Sequence, residues 1–221
     1  MSGFRLYLIT DRKLAAARAG LVPTVEAALA AAAEVAGPGA IAVQLREKDL
    51  GARELCELAR ALRNRCDRYD APLLINDRID VAIASGASGV HLPANSFAIA
   101  DARAIVGPSR LVGVSTHDPA ETAAASLAGA DFAVFGPVHD PISKAPYGRA
   151  AGLETLAQAV RAAHPMPVYA LGGITPERAA EIARALDRNS RPSGVAVIGA
   201  VFAAADPADA TRRLLNAVSI D

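Results

Sequence analysis

PLLINDRIDVAIASGASGVHL (Pro72–Leu92) holds one complete strand–helix–strand unit. Pro72–Ile75 is apolar and short. Ile79–Ala84 carries apolar residues at helical spacing. Gly89–Leu92 returns to a short run interrupted only by His91. Short runs apolar on both faces are what parallel strands covered on two sides require.

The same alternation runs outward in both directions. YLIT (Tyr7–Thr10) and VAVI (Val195–Ile198) read as buried strands in the same way. The predicted strands are Phe4–Thr10, Ile41–Leu45, Pro72–Ile75, Gly89–Leu92, Leu111–Val114, Phe132–Phe135, Pro167–Ala170 and Gly194–Ile198. The predicted helices are Val25–Val35, Ala52–Arg68, Ile79–Ala84, Phe97–Val106, Pro119–Ala128, Leu153–Ala163, Pro176–Leu186 and Pro207–Val218. Asp118-Pro119, Thr175-Pro176 and Asp206-Pro207 each set a capping residue before a proline at the first helical position. Such a repeated βα pattern in 221 residues predicts an α/β chain closed into a (β/α)8 TIM barrel, one domain over residues 1–221. A doubly wound open sheet is the alternative. It lacks the expected GxGxxG after the first strand.

Composition excludes several function classes. Lys+Arg and Asp+Glu are both 23, so there is no basic excess for nucleic acid or an acidic membrane surface. Aromatics are 4% with no Trp, too few for a base-stacking platform. No long apolar run suggests a membrane span, and the start Met1-Ser2-Gly3-Phe4-Arg5 lacks a signal peptide's apolar run. Cys56 and Cys66 fall in one predicted helix, roughly 15 Å apart at the helical rise, too far for a disulfide. CxxC and HExxH are absent, which argues against structural zinc. The expected setting is cytoplasmic, with small molecules as partners.

A barrel of this kind carries its active site at the C-terminal ends of its strands. Polar residues collect there. Gln44, Arg46 and Lys48 alternate, which aims all three at one face. Two cations and an amide suit a phosphate or diphosphate; an ion pair with Glu47 is the other reading. Gly172-Gly173 after the seventh strand and Gly199 after the eighth suit backbone binding of phosphate, though a βα turn can need glycine for geometry alone. Asp77 beside Asn76 is the metal candidate, as one carboxylate suffices for Mg²⁺ that keeps its waters; Asp77 and Asp11 could equally be helix caps. His117 is the candidate acid–base group, while His91, His139 and His164 read as structural or solvated.

These residues carry a resemblance. YLITD (Tyr7–Asp11), QLREK (Gln44–Lys48), LLINDRIDVAIASGASGVHL (Leu73–Leu92) and GVSTH (Gly113–His117) resemble the thiamine-phosphate synthase and TenI family. FGPV (Phe135–Val138), ALGGITPE (Ala170–Glu177) and GVAVIGAVF (Gly194–Phe202) extend the likeness over nearly the whole chain, in order. The family fold is the (β/α)8 barrel. The resemblance implies a transferase that joins hydroxymethylpyrimidine diphosphate to thiazole phosphate and releases diphosphate. It implies Arg46, Lys48 and Lys144 as catalytic cations, with Gln44, Asn76, Ser115 and Ser143 completing the pyrimidine diphosphate site. Asp77 would hold Mg²⁺, and Gly172, Gly173, Ile198 and Gly199 would receive the thiazole phosphate.

The chain also departs from the synthase pattern. The second metal-binding carboxylate, after strand four, is Ser96 here, and that serine precedes the helix predicted at Phe97, where it would serve as a cap. The Thr-x-Thr-Lys loop reads Pro141-Ile142-Ser143-Lys144, and a serine after strand eight is Gly199. Within the same resemblance, the alternatives are a metal-free thiazole tautomerase of the TenI branch and a non-catalytic thiazole-phosphate binder. The tautomerase histidine after Phe-Gly of strand six is Pro137 here, which leaves His117 or His139 for that role.

Overall fold

The computed structural model describes residues 3–17, 19–140 and 150–219. In chain order the elements are β1 (Leu6–Ile9), α1 (Arg12–Ala16), α2 (Leu21–Ala36), β2 (Ile41–Leu45), α3 (Ala52–Cys66), β3 (Leu73–Asn76) and α4 (Ile79–Ser85). They continue with β4 (Gly89–Leu92), α5 (Ile99–Val106), β5 (Leu111–Thr116), α6 (Pro119–Leu127), β6 (Phe132–Phe135) and α7 (Gly152–Ala163). The last are β7 (Val168–Leu171), α8 (Pro176–Ala185), β8 (Gly194–Val197), α9 (Gly199–Phe202) and α10 (Pro207–Val218). The strands form a closed parallel barrel in sequence order, with β8 returning to β1. The open-sheet alternative is thereby set aside.

Strand alternation sorts the apolar residues into two cores. Leu6, Leu8, Ile41, Val43, Leu73, Ile75, Val195 and Val197 face outward and bury against the helices. Tyr7, Ile9, Ala42, Leu74, Phe132, Val134, Tyr169 and Ala196 fill the barrel, with Phe4 among them. Phe4 stacks on Tyr169 at 4.5 Å and meets Phe132 edge-on at 5.4 Å. The rings need the space left by small residues. A Cβ at Gly113 would lie 2.3 Å from the Phe132 ring, so this interior position of β5 must stay bare.

Caps set where the helices begin. Asp118, Thr175 and Asp206 each accept backbone N–H bonds from the first turn of α6, α8 and α10. Boundaries differ from expectation where a local contact intervenes. β3, β5 and β7 run further than predicted because their last polar or mouth-facing residues still pair, as Asn76 with His91 and Thr116 with Phe135. The predicted start of α2 at Val25 is too late: Pro23 sits inside the first turn, where its missing N–H has no intrahelical partner to lose. α3 stops at Cys66, and Asp67–Tyr69 tightens to a 3-10 turn that ends at left-handed Asp70. α5 begins at Ile99 with Ala98 as its cap residue, so Ser96 is not the cap expected of it. α1 and α9 are too short to show a helical period in the sequence.

Candidate active site

The interior faces of β2 to β5 turn polar at the C-terminal end. Gln44 is buried and donates from Nε2 to Asn76 Oδ1 at 3.0 Å. Asn76 pairs in register with His91 on β4. The His91 ring is buried between the Tyr7 hydroxyl, 3.2 Å from Nδ1, and the Ser115 hydroxyl, 2.9 Å from Nε2. Burial, and then the Arg46 charge, push the His91 pKa down to about 3, which keeps the ring neutral.

The expected alternation of Gln44, Arg46 and Lys48 holds only in part. β2 ends at Leu45, since the Arg46 N–H turns to Thr10 Oγ1 at 2.9 Å and the Leu50 N–H closes a turn onto the Glu47 carbonyl at 3.3 Å. Lys48 lies in that turn and is exposed, so it is not on the strand face with the other two. Glu47 points the opposite way. Its carboxylate accepts from Thr10 Oγ1 at 2.7 Å and from the Arg12 N–H at 3.1 Å, with Arg12 Nε at 3.7 Å. Burial raises the Glu47 pKa against those bonds. The ion-pair reading of the clamp therefore falls to Arg12; among the described residues Arg46 and Lys48 form no ion pair.

Asp77 follows β3 with a left-handed φ of 64°. Its side chain caps no helix: the cap position of α4 is Arg78, which has no side-chain cap bond. Its carboxylate instead accepts the Ser96 hydroxyl from the loop after β4. Asp11, the other ambiguous acid, is a cap, accepting from the Lys13 and Leu14 N–H groups of α1. Among the described residues no group of three His, Cys, Asp or Glu forms a metal cluster.

The turns after β7 and β8 lie beyond β1 from this group. Gly172 and Gly173 have φ of 104° and 61°. A Cβ at Gly173 would lie 2.6 Å from both the Asp140 carbonyl and an Arg178 nitrogen. Arg178, in the first turn of α8, donates to the Gly173 carbonyl at 2.7 Å and to the Asp140 carbonyl at 3.3 Å. It ties the glycine turn to the segment that follows β6, a role the sequence reading missed. Ile198 and Gly199 open α9, whose first amides have no partner within the helix. Two βα turns beside a short extra helix are the arrangement barrels use for phosphate.

The histidines separate clearly. His117 is exposed, and its Nδ1 donates to the Gly136 carbonyl at 2.6 Å. His139 sits against the glycine turn, its N–H on the Gly172 carbonyl at 3.2 Å, and its buried Nε2 has no hydrogen-bond partner among the described residues. Burial, then the Arg178 charge, lower its pKa. His164 is exposed at the end of α7. Ser143 and Lys144, expected at the mouth, lie outside the described residues. Tyr7 also escaped the sequence reading as a site residue; its inward phase beside Ile9 on β1 was the available signal.

Comparison with known proteins shows the family. A family profile described as thiamine monophosphate synthase matches residues 6–201. A thiamine-phosphate synthase of Xanthobacter autotrophicus is 44% identical over 96% of this chain and 94% of its own length. One from Moorella thermoacetica is 40% identical over 99% of this chain and 98% of its own length. The solved thiamine phosphate pyrophosphorylase of Pyrococcus furiosus superposes with a TM-score of 0.82 at 34% identity, over 98% of this chain and 96% of that one.

Proposed function

Because the chain belongs to the thiamine monophosphate synthase family, we propose that its two polar subsites bind the two phosphorylated substrates of that reaction. The activity is that of a thiamine-phosphate synthase-type transferase in thiamine biosynthesis. It joins hydroxymethylpyrimidine diphosphate to thiazole phosphate and releases diphosphate. The observation that carries the assignment of subsites is their separation. A cation-bearing group on β2 to β5 and a glycine-lined group on β7 and β8 share one mouth.

In this reading Arg46 meets the diphosphate, and Gln44, Asn76 and Ser115 orient the pyrimidine diphosphate. Lys48 approaches from its exposed turn; Ser143 and Lys144 enter through the family resemblance alone. The carbon–oxygen bond to diphosphate breaks, and the thiazole nitrogen forms the new bond to the same carbon. Fixed positive charge stabilises the departing diphosphate, and no base is needed to activate the ring nitrogen. The backbone at Gly172, Gly173, Ile198 and Gly199 holds the thiazole phosphate.

Asp77 is suited to Mg²⁺. It is exposed, and among the described residues Oδ2 has no hydrogen-bond partner while Oδ1 takes the Ser96 hydroxyl. One open carboxylate matches an ion that retains most of its waters and takes phosphate oxygens from substrate. When bound, Mg²⁺ supplies further positive charge to the diphosphate. A cytoplasmic setting belongs to this reading, supported by the free thiols of Cys56 and Cys66. Among the described residues, no helix is long and apolar enough to cross a membrane.

The tautomerase alternative has weaker support, because Pro137 follows Phe135-Gly136 and His117 Nδ1 is committed to the Gly136 carbonyl. The test is to incubate the protein with both substrates, with and without Mg²⁺, and to identify products by mass. Thiamine phosphate and diphosphate in equal amounts are expected. Thiazole isomerisation without coupling would overturn the assignment.

A further inference from the structure

We propose that Tyr7 and His91 act as a positioning relay that commits the Ser115 hydroxyl to donate its hydrogen bond to the pyrimidine diphosphate substrate. The three groups form one chain from the barrel interior to the mouth: Tyr7 hydroxyl to His91 Nδ1, and His91 Nε2 to Ser115 Oγ. Tyr7 and His91 are buried, whereas Ser115 is partly open. The proposal rests on the synthase reading for the identity of the substrate only.

The direction of the relay follows from counting donors and acceptors. The Tyr7 ring is packed by Phe4 at 5.7 Å and by Phe132 at 5.3 Å. Among the described residues, its hydroxyl has one hydrogen-bond partner, His91 Nδ1. If Nδ1 carried a proton, in either the singly or the doubly protonated ring, it would donate to the Tyr7 oxygen. The phenolic O–H would then be buried with no acceptor. Such orphans are avoided in folded proteins. The Tyr7 O–H therefore donates to a bare Nδ1. The one ring proton sits on Nε2 and donates to Ser115 Oγ. With its oxygen already accepting, the Ser115 hydroxyl turns its own proton to the mouth.

A donor fixed in this way selects an acceptor on the ligand. The substrate offers two kinds, a pyrimidine ring nitrogen and a diphosphate oxygen. Both share the acceptor chemistry, and they are separated by binding the halves individually. The relay is distinct from general acid–base chemistry, since no proton leaves or enters the chain during turnover. Its work is to present one polarity, before the substrate arrives, in a site where reorienting a hydroxyl would cost affinity.

Nitrogen-15 NMR of the histidine-labelled chain reads the relay without any turnover. A protonated Nε2 and an unprotonated Nδ1 are expected for His91. A proton on Nδ1 in the resting protein overturns the proposal. Tyr7→Phe keeps the ring packing and removes the donor, so both tautomers should become populated. In that variant, binding of either inorganic diphosphate or unphosphorylated hydroxymethylpyrimidine should weaken roughly tenfold, the scale of one lost hydrogen bond, and which of the two weakens names the acceptor. Thiazole phosphate binding should not move. Unchanged binding of both halves in a folded Tyr7→Phe chain also overturns the proposal. Failure of the synthase reading would show separately, as absence of the coupled product with the His91 tautomer as expected.

Discussion

The Ser96 hydroxyl donates to Asp77 Oδ1, joining the loop after β4 to the end of β3. Ser96 thus stands beside the carboxylate proposed to hold Mg²⁺, at the place where the synthase pattern has a second acid. It precedes the Ala98 cap position of α5 by two residues, so it carries no helix-capping duty. Ser96→Asp should leave the fold intact and lower the Mg²⁺ concentration for half-maximal rate by roughly tenfold, since ligand charge tunes affinity for this class of ion. A Mg²⁺ titration of parent and variant checks this; coincident curves would remove Ser96 from the metal's surroundings.

Arg46 is half-buried at the mouth and, among the described residues, has no ion-pair partner. Its charge is thus available to a ligand instead of a neighbouring acid. Arg46→Ala should lower the coupling rate by roughly 10²–10³, the scale of a lost electrostatic donor to developing charge. Thermal melting should change little. A normal rate would detach diphosphate from this side of the mouth.

The two glycine turns should respond in opposite ways. Gly173 has φ 61° and backbone at 2.6 Å from a would-be Cβ, so Gly173→Ala should destabilise by about 1–3 kcal/mol and raise KM for thiazole phosphate. At Gly199 a Cβ meets nothing within 4 Å. Gly199→Ser should fold normally and, by adding a donor at the start of α9, should lower KM for thiazole phosphate. Melting curves and KM values for both variants decide the matter. A Gly199→Ser chain that folds normally and keeps the parent KM for thiazole phosphate would place that phosphate elsewhere.

Buried His91 links stability to acid. Its folded pKa is about 3, while an unfolded histidine titrates near ~6.5. Between those values the unfolded chain takes up a proton that the folded chain does not. The stability from neutral His91 is therefore fully present above the unfolded pKa and is lost as pH falls toward the folded one, by about 1.4 kcal/mol per pH unit. Denaturant unfolding of parent and His91→Gln from neutral pH down to about pH 4.5 should show a shallower loss in the variant. Parallel curves would show that His91 is not held neutral by the fold.

Much of this molecule could be read along the chain. In Pro72–Leu92 the shift from a short apolar run to helical spacing and back announces a βα unit, and repetition of that unit closes the barrel. Asp118, Thr175 and Asp206 were legible as caps because capping is a contact within a few residues. Gln44, Asn76, Asp77, Gly173 and Gly199 could be picked out because residues at strand ends must reach the mouth in this fold. Lys48 misled because alternation has meaning only while the strand lasts, and Thr10, from another strand, ends β2 by taking the Arg46 N–H.

What needed the tertiary structure was every relationship between distant strands. Whether Asp77 caps a helix or faces a ligand depends on Ser96, and whether Glu47 pairs with Arg46 or Arg12 depends on Thr10 and α1. The Tyr7–His91–Ser115 chain joins three strands whose residues carry no mark of one another in the sequence. Sequence by itself determined the fold class and the rim on which the candidate site residues sit, because periodicity and capping are local. Hydrogen-bond direction and carboxylate partnership were decided only on closing the barrel, which brings side chains far apart along the chain to within 3.2 Å of each other.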